Sequence, residues 1–324
     1  MTQMGEEGGV ILAAVRPAAE RGPRPALRGA AWTNVMWALA AVYLAVIVIT
    51  TLSGALSPGV VSALALTSLT AAAVVHGLTL YRVRDVVVFY VLTFLVSNLF
   101  ENLSIITGFP FGHYHYTAEL GPKLLHVPLA IGPFYVAAGY MSWVLALALL
   151  RVWNKRLRGW TTVLVPLIAG VLMVAWDVCI DPSDSTIHKQ WIWEHGGGYF
   201  GVPLVNYAGW FLTVMVFFLV FAAYLRVSKR SGAHAGAARA ADREQAPPLP
   251  KAFWYQAALL YFGMGLARPL LALTTENKQV TDAAGHIWAT ADIYQSLTLV
   301  TVFTMWTFAL LAAVTIARES RGDL

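Results

Sequence analysis

Residues 160–182 read WTTVLVPLIAGVLMVAWDVCIDP, an apolar run with no charged residue before Asp177. A helix that spans the hydrocarbon core of a bilayer needs about 20 mostly apolar residues. Seven further blocks of comparable length surround this run, at about 33–53, 59–81, 85–106, 127–150, 203–226, 253–274 and 291–317. We therefore predict an all-α fold, a polytopic integral membrane bundle of about eight transmembrane helices.

The composition supports a chain whose main solvent is lipid. Of its 324 residues, 58% are hydrophobic and 12% are charged, and the mean hydropathy is +0.63. Soluble domains carry roughly 25% charged residues. The single cysteine, Cys179, excludes an internal disulfide and a cysteine-built metal cluster. The sequence has no glycine-rich dinucleotide loop and no Walker motif, so we predict no cofactor. No lysine lies within a spanning block, which excludes a retinal Schiff base.

Basic residues predict the orientation, because cytoplasmic loops of membrane proteins are enriched in Lys and Arg. If the N-terminus is cytoplasmic and eight helices alternate, 18 of the 22 Lys and Arg residues fall on the cytoplasmic side. The four exceptions are Lys123, Lys189, Arg268 and Lys278. We predict a multi-pass protein of the cell inner (plasma) membrane with both termini in the cytoplasm. The cations are spread over short loops and form no stripe, which excludes a nucleic-acid partner.

The chain divides into one membrane domain with short extensions. Residues 1–31 are expected to be a mobile cytoplasmic arm, since their leading flank is acidic (Glu6, Glu7) and unlike that of a secretory signal. Residues 32–318 form a single transmembrane domain, interrupted by a flexible cytoplasmic loop at 227–252, and 319–324 form a C-terminal tail. His76, alone in the second block, is interpreted as an interhelical hydrogen bonder.

Five charged residues lie within or at the ends of the spanning blocks on the side opposite the basic loops. They are Glu101, Asp177, Asp181, Arg268 and Asp292, and a charge inside the bilayer costs roughly 2.5–3.5 kcal/mol, so they are expected to face partners or water. A single cation cannot neutralise both Glu101 and Asp177. We predict that Arg268 pairs with Asp177, and that the deeper Glu101 stays protonated. A neutral buried carboxylic acid is a usable proton donor.

Other candidate residues cluster at the same end of the bundle. Glu101 has helical neighbours Asn98 and Asn102 that are expected to hydrogen-bond its neutral form. Six of the eight histidines and two loops dense in aromatic residues, 107–126 and 181–202, also lie there. These histidines are His113, His115, His126, His188, His195 and His286.

Several uncommon strings fall in order along the chain. The loop after Glu101 reads GFPFGHYHY over 108–116, the helix end at 176–182 reads WDVCIDP, and WIWE at 191–194 leads to GYFGVPLVN at 198–206. Together these strings resemble the membrane carotenoid-biosynthesis protein family, which includes γ-carotene and bisanhydrobacterioruberin hydratases. The resemblance covers roughly 85–315 and carries no catalytic assignment that could be transferred. It implies a carotenoid 1,2-hydratase, which adds water to a terminal isoprenoid double bond of an acyclic carotenoid or related polyprenyl lipid.

Hydration of an alkene needs a proton donor, a surface that stabilises a tertiary carbocation, and a positioned water. The candidate donors are Glu101, then Asp177 and Asp181, acting by general acid catalysis. His113, His115 or Asn206 are candidates to hold and deprotonate the water. Aromatic rings that could face the cation belong to Tyr114, Tyr116, Trp176, Trp191 and Trp193. The substrate partner is expected to enter sideways from the lipid bilayer, and no metal is expected to be required.

Two other functions remain open. The histidines and acids favour a di-iron membrane oxygenase, since imidazole and carboxylate suit iron, although only one His-x-His pair is present. The buried acids would also suit a lipid or proton-coupled carrier. The sequence does not determine the oligomeric state.

Overall fold

The computed structural model describes residues 29–54, 56–153, 157–233 and 249–319. Eight helical spans in these ranges are long and apolar enough to cross a membrane, which confirms the predicted number. They are Ala30–Ser53, Gly59–Leu80, Val83–Thr107, Ile131–Leu149, Thr161–Ile187, Leu204–Ser228, Lys251–Thr274 and Thr290–Arg318. Most of the predicted arm at 1–31, much of the loop at 227–252 and nearly all of the tail lie outside the described residues.

Five of the eight spans are single α-helices, and the fifth, seventh and eighth spans each contain more than one helical segment. The helices are α1 (Ala30–Ser53), α2 (Pro58–Leu80), α3 (Val83–Thr107), α4 (Ile131–Leu149), α5 (Thr161–Asp181), α6 (Leu204–Ala233), α7 (Lys251–Met264), α8 (Ala267–Thr274), α9 (Thr290–Thr301) and α10 (Thr307–Arg318). A π-helical segment, Pro182–Ile187, extends α5, and a second one, Val302–Trp306, joins α9 to α10.

The seventh span breaks between α7 and α8 at Gly265. A Cβ atom there would lie 2.7 Å from Cγ2 of Thr301, so only glycine allows this close approach to the last span. Pro269 follows in the first turn of α8, where its missing N–H needs no helical partner.

Helix α4 is the centre of the bundle. Nearly all its residues from Ile131 to Ala148 are buried, and it packs against α2, α3, α5, α7 and α10. A helix that is apolar on every side is stable only when it is surrounded. The predicted fourth block began at 127, but the helix begins at Ile131 because Val127 and Pro128 form a strand. The histidine predicted to bond between helices does so: the His76 ring nitrogens lie 2.8 Å from Tyr140 Oη and 2.9 Å from the Phe253 carbonyl oxygen.

The outer faces of the surrounding helices are apolar and exposed. On α3, Leu95, Leu99 and Ile106 expose at least 60% of their surface, and similar residues lie along α1, α6 and the last span. Monomeric soluble proteins rarely expose contiguous apolar patches of this extent. The chain is therefore a multi-pass membrane protein.

Short strands cover the end of the bundle that holds the buried carboxylates. They are β1 (Tyr114–Tyr116), β2 (Lys123–Leu124), β3 (Val127–Pro128), β4 (Trp191–Trp193), β5 (Gln279–Thr281) and β6 (Ile287–Ala289). β1 pairs with β4 in antiparallel register, with Tyr114 opposite Trp193 and Tyr116 opposite Trp191. Directly opposite side chains share one face of a sheet, so these four aromatic side chains lie together.

Candidate active site

A cavity lies beneath the β1–β4 pair and is lined by residues of α3, α4, α5 and α6. Four carboxyl side chains line it: Glu101, Asp177, Asp181 and Asp184. Nine aromatic side chains surround them, namely Phe111, Tyr114, Tyr116, Phe134, Tyr135, Trp176, Trp191, Trp193 and Trp210.

Glu101 is 2% exposed and is held by three tyrosine hydroxyl groups. Tyr114 and Tyr116 both donate to Oε2, the second at 2.9 Å, and Tyr135 donates to Oε1 at 2.7 Å. Burial, and then the charge of Glu101, raise the pKa of Tyr114 and of Tyr116 well above the usual range. Both hydroxyl groups therefore keep their protons near neutral pH and serve as donors. Three O–H donors on one carboxyl group offset part of the cost of burying its ionised form.

Asp181 is 1% exposed and is held in the same way from the other strand. The indole Nε1 groups of Trp191 and Trp193 donate to Oδ1 at 2.9 and 3.1 Å. Asn206 Nδ2, on α6, donates to Oδ2 at 2.7 Å. Asp181 thus also accepts three hydrogen bonds, a set that offsets part of the cost of burying the carboxylate.

Asp177 has fewer partners than the other two. It is 2% exposed, and it accepts one side-chain hydrogen bond, from Asn206 Nδ2 to Oδ2 at 3.0 Å. The same amide group therefore bridges Asp177 and Asp181. Two carboxylates that share one site repel each other, so the pair favours one proton. That proton fits Asp177, because Asp181 already has three donors.

Stacked rings form one wall of the cavity. The rings of Tyr135 and Trp210 are parallel within 9°, with centroids 4.4 Å apart. Trp176 meets Trp210 edge to face at 6.0 Å, and Phe134 lies 6.3 Å from Trp176. Aromatic faces attract cations through their quadrupole, so this wall is suited to a positively charged intermediate.

The predicted partner of Arg268 is wrong. Arg268 donates to Asp184, with its Nη2 2.8 Å from both carboxylate oxygens, and the pair is mostly buried. The π-helical segment after Asp181 carries Asp184 toward α8, whereas Asp177 points into the cavity toward Asn206. Arg268, also a candidate substrate-binding residue by sequence, does not line the cavity.

The predicted contacts of Asn98 and Asn102 with Glu101 are also absent from the described hydrogen bonds. Asn98 Nδ2 donates to the Phe94 carbonyl, and Asn102 Nδ2 donates to the Asn98 carbonyl. Asn102 Oδ1 accepts the backbone N–H of His126. Neither amide lines the cavity. The tyrosine hydroxyl groups occupy the positions around Glu101 that these amides were expected to fill.

His113 and His115 point away from the cavity. Successive residues of a strand face opposite sides, and Tyr114 and Tyr116 face inward, so the two histidines are exposed. His115 Nδ1 lies 3.2 Å from Glu194 Oε1, and the His113 ring packs 5.6 Å from that of His195. Among the described residues, no group of three or more His, Cys, Asp or Glu side chains is arranged to hold a metal ion. The predicted independence from metals stays a prediction.

Two residues central to the cavity, Tyr135 and Trp210, were not among the residues predicted from the sequence. Both lie in strongly apolar helices, where aromatic residues are normally core or interfacial groups. One usable signal existed for Trp210, which follows Asn206 by four residues and therefore shares its helix face. No comparable signal marks Tyr135.

Comparison with known proteins identifies relatives of this chain. The sequence model of a family described as carotenoid biosynthesis protein matches residues 59–267, which is more than half of the chain. Bisanhydrobacterioruberin hydratase of Haloarcula japonica is 35% identical over 128 residues, covering 39% of this chain and 41% of that protein. The chain thus matches well under two thirds of this relative's length. No solved structure matches. The matched region contains the three carboxyl groups and the four strand aromatics, and it ends one residue before Arg268.

Proposed function

Because the chain belongs to the carotenoid biosynthesis protein family, we propose that it is a carotenoid hydratase. It adds water to a terminal isoprenoid double bond of an acyclic carotenoid or related polyprenyl lipid and forms a tertiary alcohol. The observation that carries this proposal is the cavity itself, where a weakly bonded carboxyl group, two strongly bonded carboxylates and a wall of stacked rings meet within a membrane protein.

Asp177 is the proposed proton donor. Glu101 and Asp181 each accept three hydrogen bonds, whereas Asp177 accepts one from a side chain and shares that amide with Asp181. This assignment reverses the order expected from sequence, because the premise that Asp177 pairs with Arg268 does not hold. General acid catalysis by a positioned carboxylic acid contributes about 10²–10⁴-fold.

The proposed hydration proceeds through a tertiary carbocation. The Asp177 hydroxyl transfers its proton to the less substituted carbon of the double bond, and the π electrons form the new C–H bond. The tertiary carbocation is stabilised by the ring faces of Tyr135, Trp176 and Trp210. Water adds to the cation, and its proton passes to the carboxylate of Asp181 or Glu101. Return of that proton to Asp177 completes the cycle, so no cofactor or metal is consumed or required.

The membrane setting follows from the same proposal. The cavity lies at the end of the bundle opposite the predicted cytoplasmic loops, in a chain of the plasma membrane with both termini in the cytoplasm. The half-buried lining residues Leu120, Phe134, Trp191 and Trp210 mark where the cavity opens. A polyene dissolved in the bilayer would insert one end group there while the rest of its chain stays in lipid.

The test is mass analysis of pigments after expression in cells that make an acyclic carotenoid. The expected product carries the mass of one added water, and Asp177→Asn should abolish it at equal membrane abundance. Gain of a single oxygen that depends on iron and air would support the oxygenase instead. An unchanged pigment profile, with folded protein present, would overturn the enzymatic proposal.

A further inference from the structure

The β2–β3 hairpin, residues 121–130, lies beside the cavity and has an apolar outer surface. Leu125 is 78% exposed, and Leu124 and Leu129 are exposed by nearly half. The residues at its two ends, Leu120 and Ile131, both line the cavity. The hairpin is therefore continuous with the walls of the proposed active site.

A contact with α3 fixes the position of the hairpin tip along the axis of that helix. The backbone N–H of His126, at the tip, donates to Oδ1 of Asn102 at 3.1 Å. Asn102 lies five residues before the end of α3 at Thr107, which is roughly 7 Å along the helix axis. The tip thus folds back along a spanning helix to a level where Leu99 and Ile106 of that helix are also exposed. Its apolar surface is continuous with the lipid-facing surface of α3.

The hairpin carries one charged side chain, and its ammonium group is hydrogen-bonded to the protein. Lys123 is exposed, but its Nζ donates to the carbonyl oxygen of Tyr116 at 2.6 Å. His126 is the remaining polar side chain, and histidine tolerates a membrane–water boundary because its ring has an apolar body and a polar tip.

The turn itself has an unusual residue. Leu125 and His126 form a two-residue connection between the strands, and Leu125 has φ of 57°. Hairpin turns that need a positive φ strongly prefer Gly, Asn or Asp. A leucine there has two costs: the steric strain of the positive φ and, in water, the exposure of its apolar side chain. Contact with lipid removes the second cost.

We propose that this hairpin inserts into the hydrocarbon of the leaflet on the cavity side and forms the membrane-side wall of the portal through which the polyene enters. The portal role rests on the proposed hydratase function, whereas the insertion does not. The occupant of the apolar surface is lipid chain, and the substrate reaches Leu120 and the cavity along that surface.

Insertion is tested with single-cysteine labelling in a Cys179→Ala background. Leu125→Cys and the matched control Ala283→Cys, which is exposed at the tip of the β5–β6 hairpin on the same end, each carry a polarity-sensitive fluorophore in lipid vesicles. We expect the Leu125 probe to be quenched by spin-labelled lipid chains and protected from aqueous iodide, with the reverse for Ala283. Equal quenching of both probes by iodide would overturn insertion.

The portal is tested by kinetics with substrate dissolved in vesicles. Leu124→Asn/Leu125→Asn should raise KM, expressed as the mole fraction of carotenoid in lipid, by about tenfold, a change of 1.4 kcal/mol, with kcat unchanged. Leu273→Asn, an exposed leucine on α8 and outside the hairpin, should change neither constant. An unchanged KM in the double variant would overturn the portal even if the probe is inserted. Absence of turnover in the parent protein would instead overturn the hydratase proposal, and the quenching result would still decide the insertion.

Discussion

Glu101→Gln should cost more unfolding free energy than Asp177→Asn, and Asp177→Asn should cost more turnover than Glu101→Gln. Three tyrosine O–H groups donate to the Glu101 carboxylate. A hydrogen bond to a charged group contributes about 1.5–3 kcal/mol and a neutral one about 0.5–1.5 kcal/mol. Glutamine keeps one carboxyl oxygen and replaces the other by an NH2 group, so at least one of the tyrosine hydroxyl groups loses its acceptor, at a cost of about 1–3 kcal/mol of unfolding free energy. Asp177→Asn keeps an oxygen for its one bond from Asn206, so it should cost less than about 1.5 kcal/mol.

The loss of turnover should be larger for Asp177→Asn than for Glu101→Gln. Asp177→Asn removes the proposed proton donor and should lower kcat by about 10²–10⁴-fold in protein that remains folded. The free energy of unfolding would come from titration with sodium dodecyl sulfate in mixed micelles, followed by tryptophan fluorescence. Turnover per folded molecule would come from product formation in vesicles that contain an acyclic carotenoid.

One outcome would refute this reasoning directly. If Glu101→Gln is as stable as the parent and inactive, while Asp177→Asn turns over normally, then Glu101 is the neutral acid and the order predicted from sequence is right. If both folded variants turn over normally, neither group is the donor, and Asp181→Asn becomes the variant to examine.

Three further outcomes are expected. Topology reporters fused at Gly121 and at Arg239 should report opposite sides of the membrane, and reporters on one side would contradict the predicted orientation. Turnover should survive a strong chelator, whereas loss with recovery by ferrous iron alone would support the oxygenase. Arg268→Met should destabilise the protein by about 3–5 kcal/mol by leaving buried Asp184 with only His188 and Ser183 as partners. The double variant Arg268→Met/Asp184→Asn should recover most of that loss in the same unfolding titration, and no recovery would contradict the ion pair as its cause.

The helices, and the end of the bundle that holds the cavity, could be predicted because membranes constrain sequence strongly. Each span needs about 20 apolar residues, so the eight blocks are visible without any long-range information. The carboxyl groups at 101, 177 and 181 were identifiable because charges within spans are rare and costly. Both signals depend on residues close together in the chain.

The contacts within the site depend on long-range pairing that no local pattern encodes. Tyr114 and Tyr116 face Glu101 because β1 pairs with β4, more than 70 residues away in sequence. The same pairing turns His115 outward. The string HYHY by itself does not indicate whether the two histidines or the two tyrosines face inward. Arg268 meets Asp184, which lies on the π-helical segment after α5, whereas the relative depth of the acids in the membrane had pointed to Asp177.

The site contains a charge imbalance that the proposed chemistry would resolve. Among the described residues, the hydrogen bonds to Glu101, Asp177 and Asp181 come from hydroxyl, indole and amide groups, and Arg268 is bonded to Asp184. Neutral donors bond to these carboxylates but supply no positive charge, so the site holds a net negative charge when two of them are ionised. A tertiary carbocation held against the Tyr135–Trp210 wall would supply the missing positive charge at the moment it forms. Stabilising the transition state more than the neutral alkene is what accelerates a reaction, so this imbalance favours a cationic mechanism over a neutral binding site.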